Sequence, residues 1–233
     1  GALNTIIKAK YPFSTVIFAN GGNNVTISDL QVKGGNIGIK SDNNSGFKLL
    51  NSMVLGASNI GVDLKNVSSA GLFGNYIIGN KIGLNSTNSS GLSILGNGFQ
   101  NNITAMKLAN IVSSTIKYNG IYGATTTGID ATGHNFLIAN NNFNNVSGDS
   151  VRIGNSFNVT VDKNTITNAY NGINMTAGNY NVAISNNDIT ASNNGVSITN
   201  SNLLRLKGNS IQGADVGLNL DNTNNVSVGG NNA

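Results

Sequence analysis

Few side chains in this sequence can transfer a proton or neutralise a charge. Its 233 residues include one His, no Cys, no Glu and nine Asp. The most suggestive stretch holds Tyr122, Asp130 and His134, with Lys107 before it and Arg152 after it. Removing a carbon-bound proton beside a carboxylate needs a base, an acid on the opposite face and a cation at the carboxylate. Tyr122 and His134 have the chemistry to exchange the proton, and Lys107 and Arg152 the charge to hold the carboxylate. Hydrolysis of a glycosidic bond would instead need two carboxylates about 5–9 Å apart. No two Asp fall in neighbouring positions of the repeat described next.

Those residues sit in a sequence that repeats. Asn recurs at 75, 97, 119, 141, 164, 187, 209 and 231, every 22 or 23 residues, with the same neighbours each time. Around Asn164 stand Val159, Val161 and Ile166; around Asn187 stand Val182, Ile184 and Ile189. A second landmark follows in each unit, usually Gly and then two apolar residues with one polar residue between them, as in Gly172, Ile173, Asn174 and Met175. Aligning the units gives one apolar column of Ile39, Val62, Leu84, Met106, Ile129, Val151, Ile173, Val196 and Leu218. Apolar and polar residues alternating over three to five positions, broken by Asn, Gly and Ser, mark short strands with one buried face. No stretch keeps a helical period. A unit this small cannot bury its own apolar face and must stack on copies of itself. The pattern therefore predicts an all-β fold, a parallel β-helix of about ten rungs and about 50 Å in length.

The repeat gives the Asn column a physical role. Stacked amides can bond to one another and to the backbone of a bend, where the strand ladder alone leaves polar groups unpaired. Leu30 and Ser52 occupy the aligned places in the early rungs, which are expected to bend differently. One outward column reads Lys40, Asp63, Asn85, Lys107, Asp130, Arg152 and Asn174. It places Asp130 between two cations and predicts an ion-pair ladder in preference to proton chemistry. Tyr118 and Tyr122 share a rung, and exposed rings beside amides suit shallow sugar sites. They are the glycan-binding candidates.

Composition narrows the remaining classes. The net charge of +4 reflects scarce acids, because the Lys residues are scattered. No basic and aromatic stripe indicates a nucleic-acid partner. No apolar run is long enough to span a membrane. His134 reads as a turn residue, and with neither Cys nor a Met/His cluster no metal or other cofactor is expected. Residues 1–15 read as an N-terminal cap or assembly segment and 16–233 as the β-helix. The first rung reads as starting in mid-course at Val16 and the last as ending without a polar cap. This ragged outline predicts self-association, head-to-tail into a filament or side by side.

Phrases such as Asn140, Asn141, Asn142, Phe143 and Ile184, Ser185, Asn186, Asn187, Asp188, Ile189 resemble the right-handed parallel β-helix superfamily. That superfamily includes pectate lyases, NosD-like repeat proteins, alginate epimerases, phage tailspikes and adhesin-like surface proteins. The resemblance runs over nearly the whole chain from about Val16 and implies the fold. Its matching residues build the rung, so enzymes and inert stalks share them. Tyr122, Gly123, Asp130 and His134 loosely resemble the catalytic segment of alginate C5-epimerases, in which Tyr-Gly precedes Asp-Pro-His. Here no Pro follows Asp130, and three residues separate it from His134. The expected function is an extracellular or cell-surface β-solenoid, structural or adhesive, a filament building block in contact with polysaccharide. The alternative is a polysaccharide lyase, C5-epimerase or phage depolymerase on the same scaffold.

Overall fold

The computed structural model describes residues 5–232. Among these are 26 strands and no helix, so no helix is long and apolar enough to cross a membrane. The strands pair in parallel from one turn of chain to the next. A typical turn carries three of them, as in Lys48–Leu50, Met53–Leu55 and Ile60–Lys65. Stacked turns make three ladders, first, second and third in that order, joined by three bends. The register follows the sequence repeat: Ile39 lies over Val62, Leu84 over Met106, and Ile129 over Val151.

Alternation decides what lies inside. The column from Ile39 to Val196 is fully buried, and its last member, Leu218, is partly buried. The first ladder adds Leu49, Leu72, Ile94, Ile116 and Ile138, and the second adds Val54, Ile77, Phe99, Ile121 and Phe143, all at 0% exposure. Each such side chain contributes about 1.5–3 kcal/mol on leaving water. The Gly landmark also has a steric cause. A Cβ on Gly38 would lie 2.6 Å from the carbonyl oxygen of Gly61 one rung on, and one on Gly172 would lie 2.3 Å from that of Gly195.

The internal Asn ladder is continuous along the first bend. Nδ2 of Asn97 donates to Oδ1 of Asn119 at 3.0 Å and to the Leu72 carbonyl at 2.9 Å, while the backbone N–H of Asn97 donates to the same Oδ1 at 2.9 Å. The pattern recurs at Asn75, Asn119, Asn141, Asn164, Asn187 and Asn209, and ends on Asn231. The early rungs do not bend differently. Ser52 donates its backbone N–H to Oδ1 of Asn75 at 2.9 Å, Leu30 donates to Oγ of Ser52 at 3.4 Å, and the register passes through both unbroken. A hydroxyl can accept the same N–H as an amide oxygen, so the bend keeps its shape. A shorter ladder lies on the second bend, where Ala57 donates to Asn80, and Asn80 to Asn102.

Away from these two ladders, Asn has a different task. On the third bend Asn43, Asn66, Asn88, Asn110, Asn155, Asn200 and Asn222 take φ of 45–56°. Asn tolerates this left-handed region better than other residues with a Cβ. The two tasks together use many of the Asn residues, which make up about a fifth of the chain.

Ile6–Lys8 is a strand, paired with Gln31–Lys33, and Thr15–Asn20 pairs with Ile37–Asp42. The strand expected to be missing before Val16 is thus supplied by Ile6–Lys8. Part of the 1–15 segment belongs to the second ladder, and the boundary at 16 falls inside a strand.

Candidate functional surface

The residues singled out for proton chemistry stand on different faces. Lys107, Asp130 and Arg152 are neighbours in one outward column of the third ladder, in the register expected. Tyr122 ends a strand of the second ladder, and a Cβ on Gly120 would lie 2.5 Å from its ring, so the ring lies over the glycine gap. His134 lies on the third bend, and its ring stacks on Phe157 with centroids 4.6 Å apart and planes 11° apart. No hydrogen bond, ion pair or ring contact among the described residues joins Tyr122, Asp130 and His134.

The ion-pair ladder does not form. Among the described residues, cation and carboxylate come within 4 Å only at Lys40–Asp42, 2.7 Å, and Lys163–Asp162, 3.8 Å. Lys107 and Arg152 are exposed beside half-buried Asp130. Long exposed side chains gain too little from pairing in water to offset the entropy of holding one geometry. The Lys40–Asp42 pair has more support. Lys40 also lies 5.0 Å from the Phe18 ring centroid, and its hydrogen bond to Asp42 raises its pKa, against the opposing effect of burial.

Other carboxylates tie rungs together. Asn85 donates to Asp63 at 2.7 Å, Asn171 and Asn174 to Asp149 at 2.8 and 3.0 Å, and Ser185 and Asn186 to Asp162 at 2.7 and 2.9 Å.

Tyr118 is 64% exposed on the first bend with φ of 58°, where its counterparts one rung away are Gly96 and Asn140. A bulky residue in the left-handed region costs about 1–2 kcal/mol. Tyr118 and Tyr122 share a rung as expected, one on the bend and one at the strand end.

Phe157 was not singled out from the sequence. The register aligns His134, Phe157 and Tyr180 on three successive rungs. Each is followed by an Asn, and these outer amides are linked, Asn158 to Asn135 at 2.9 Å and Asn181 to Asn158 at 2.7 Å. The signal was present as aromatic-Asn pairs 23 residues apart. Beyond Asn181 a concavity of about 230 Å³ is lined by Leu203, Arg205 and Asn225 among others.

A profile of the periplasmic copper-binding protein (NosD) matches residues 4–151, and one of a right handed beta helix region matches 127–233. The first covers more than half of the sequence. The chain belongs to the NosD family of right-handed parallel β-helices. Solved structures agree on the fold. Dettilon tailspike protein is 14% identical with a TM-score of 0.68, over 83% of this chain and 47% of its own. The periplasmic alginate epimerase AlgG is 15% identical with a TM-score of 0.66, over 94% of this chain and 64% of its own. The family 28 exopolygalacturonase of Yersinia enterocolitica is 12% identical with a TM-score of 0.66, over 94% and 48%. This NosD-family chain therefore spans about half to two thirds of the length of these proteins. No curated protein matches the sequence.

The family name implies copper, and the donors present do not suit it. Copper is held by imidazole, thiolate or thioether groups. The described residues hold no cluster of three or more His, Cys, Asp or Glu. Met106 and Met175 are buried in different interior columns, and His134 is stacked on Phe157.

Proposed function

We propose that this chain is a structural or adhesive β-solenoid at or outside the cell surface, a building block of a stalk or filament that touches polysaccharide. The observation that carries this reading is the use made of polar side chains. The inner amides join every rung from Ser52 to Asn231, and Asp63, Asp149 and Asp162 accept amide or hydroxyl hydrogens from the next rung. In such a stack each rung is held by its neighbours, so stability accumulates along the rod as rungs are added. The similarity in fold to a tailspike protein and to two polysaccharide-active enzymes supports the contact with sugar chains. Electron microscopy of the purified chain, with sedimentation and glycan-binding measurements, tests the proposal. Threads or discrete oligomers that bind polysaccharide are expected; a monomer at high concentration that binds none would sink it.

A second reading, a polysaccharide-active enzyme, is favoured by half-buried Asp130 between two exposed cations. Incubation with uronate polymers, followed for unsaturated or epimerised product, tests it. An activity that Asp130→Asn lowers by orders of magnitude would place the enzyme reading ahead of the structural one.

A further inference from the structure

The rings on the third bend lie outside the hydrophobic core. Phe157 is 45% exposed although its stack on His134 fixes its place, and Tyr180, one rung on, is 53% exposed and makes no ring contact among the described residues. Alongside them runs a second outward column, the linked amides of Asn135, Asn158 and Asn181. Three successive rungs thus each present one ring and one amide. The next residue in the amide column is Leu203, with φ of 57° and 43% exposure. A large apolar side chain in this conformation is strained, and strain that persists calls for a functional explanation. Leu203 lines the concavity together with Arg205, an exposed cation that forms no ion pair among the described residues.

We infer that His134, Phe157, Tyr180 and Arg205, with the amides of Asn158 and Asn181, form a binding strip for an acidic polysaccharide chain lying along the helix axis. The rung rise of about 4.8 Å is close to the length of one pyranose ring, so successive rungs can meet successive sugars. The C–H faces of sugars pack on aromatic surface, and their hydroxyls exchange hydrogen bonds with amides. A guanidinium grips a carboxylate through paired hydrogen bonds, which selects a charged sugar over a neutral one. The stacked and linked groups are already held in place, so little ordering remains to be done on binding. This inference deepens the proposed contact with polysaccharide and rests on it.

The test is titration calorimetry with oligogalacturonate and with a neutral oligoglucan of matching length. The unaltered chain should prefer oligogalacturonate. Phe157→Ala and Tyr180→Ala should each weaken that binding roughly two- to tenfold, and Phe157→Tyr should restore it. Arg205→Gln should remove the preference for the charged chain. Tyr76→Ala, on another face, is the control and should leave binding unchanged. Circular dichroism confirms that each variant keeps its strands. If the unaltered chain binds neither probe, the strip and the wider proposal of polysaccharide contact fall together. If it binds but Phe157→Ala and Tyr180→Ala have no effect, the strip alone is wrong and polysaccharide contact stands. Equal binding of both probes overturns the assignment to an acidic chain.

Discussion

The first and third bends solve the same problem with different freedom. Along the inside of the first bend, Asn follows Asn from 75 to 231, whereas the inner position of the third runs Asn44, Val67, Ser89, Ile111, Gly133, Ser156, Asn179 and Ser201. At the first bend one amide satisfies a backbone N–H, a backbone carbonyl and the neighbouring amide at once, and no other side chain of that length donates and accepts in this way. At the third bend only the left-handed backbone next to it is demanded, so the remaining positions can vary. The variable bend is where Phe157, Tyr180 and Leu203 occur. Uniformity here marks what the fold requires, and irregularity marks what it leaves available for other uses.

Substitutions can break or sharpen this contrast. The largest effect is expected at the inner ladder: Asn164→Leu should cost about 1–3 kcal/mol, because buried partners on both sides lose their bonds. Equilibrium denaturation measures it, and a loss near zero would mean that the ladder is not a source of stability. Leu203→Asn should do the reverse and stabilise by about 1 kcal/mol, by relieving the left-handed strain, while weakening oligogalacturonate binding. Stability gained with binding intact would separate the strain from function.

The Lys40–Asp42 pair should matter less, about 0.2–1 kcal/mol. Folding raises the Lys40 pKa, chiefly through the hydrogen bond to Asp42. The stabilisation is therefore complete below the unfolded Lys value of about 10.4 and lost as pH rises through the folded value. Denaturation midpoints of the unaltered chain and Lys40→Met should thus converge at high alkaline pH; a constant gap would argue against the pair. The smallest changes, within about 0.5 kcal/mol, are expected for Asp130→Asn and for Asn158→Gly, which keeps the left-handed backbone. A large loss for Asn158→Gly would erase the distinction between inner and outer amides.

The ladder strands, their register and the buried column from Ile39 to Val196 were legible in the sequence, as were the amides from Asn75 to Asn231. Each rests on short-range alternation and a fixed period, which stacking copies into space without needing distant information. The column of Lys107, Asp130 and Arg152 was legible as register but not as contact, because pairing depends on how long side chains meet the solvent. The strand Ile6–Lys8 escaped notice because the first turn is longer, with Ile6 paired to Gln31 across 25 residues. The stack of Phe157 on His134, and the concavity that Leu203 shares with Arg205, were decided only by the tertiary structure. Spacing in sequence fixes which rung a side chain occupies, but which way a ring turns, and what stands exposed beside it, is settled by the neighbouring rungs.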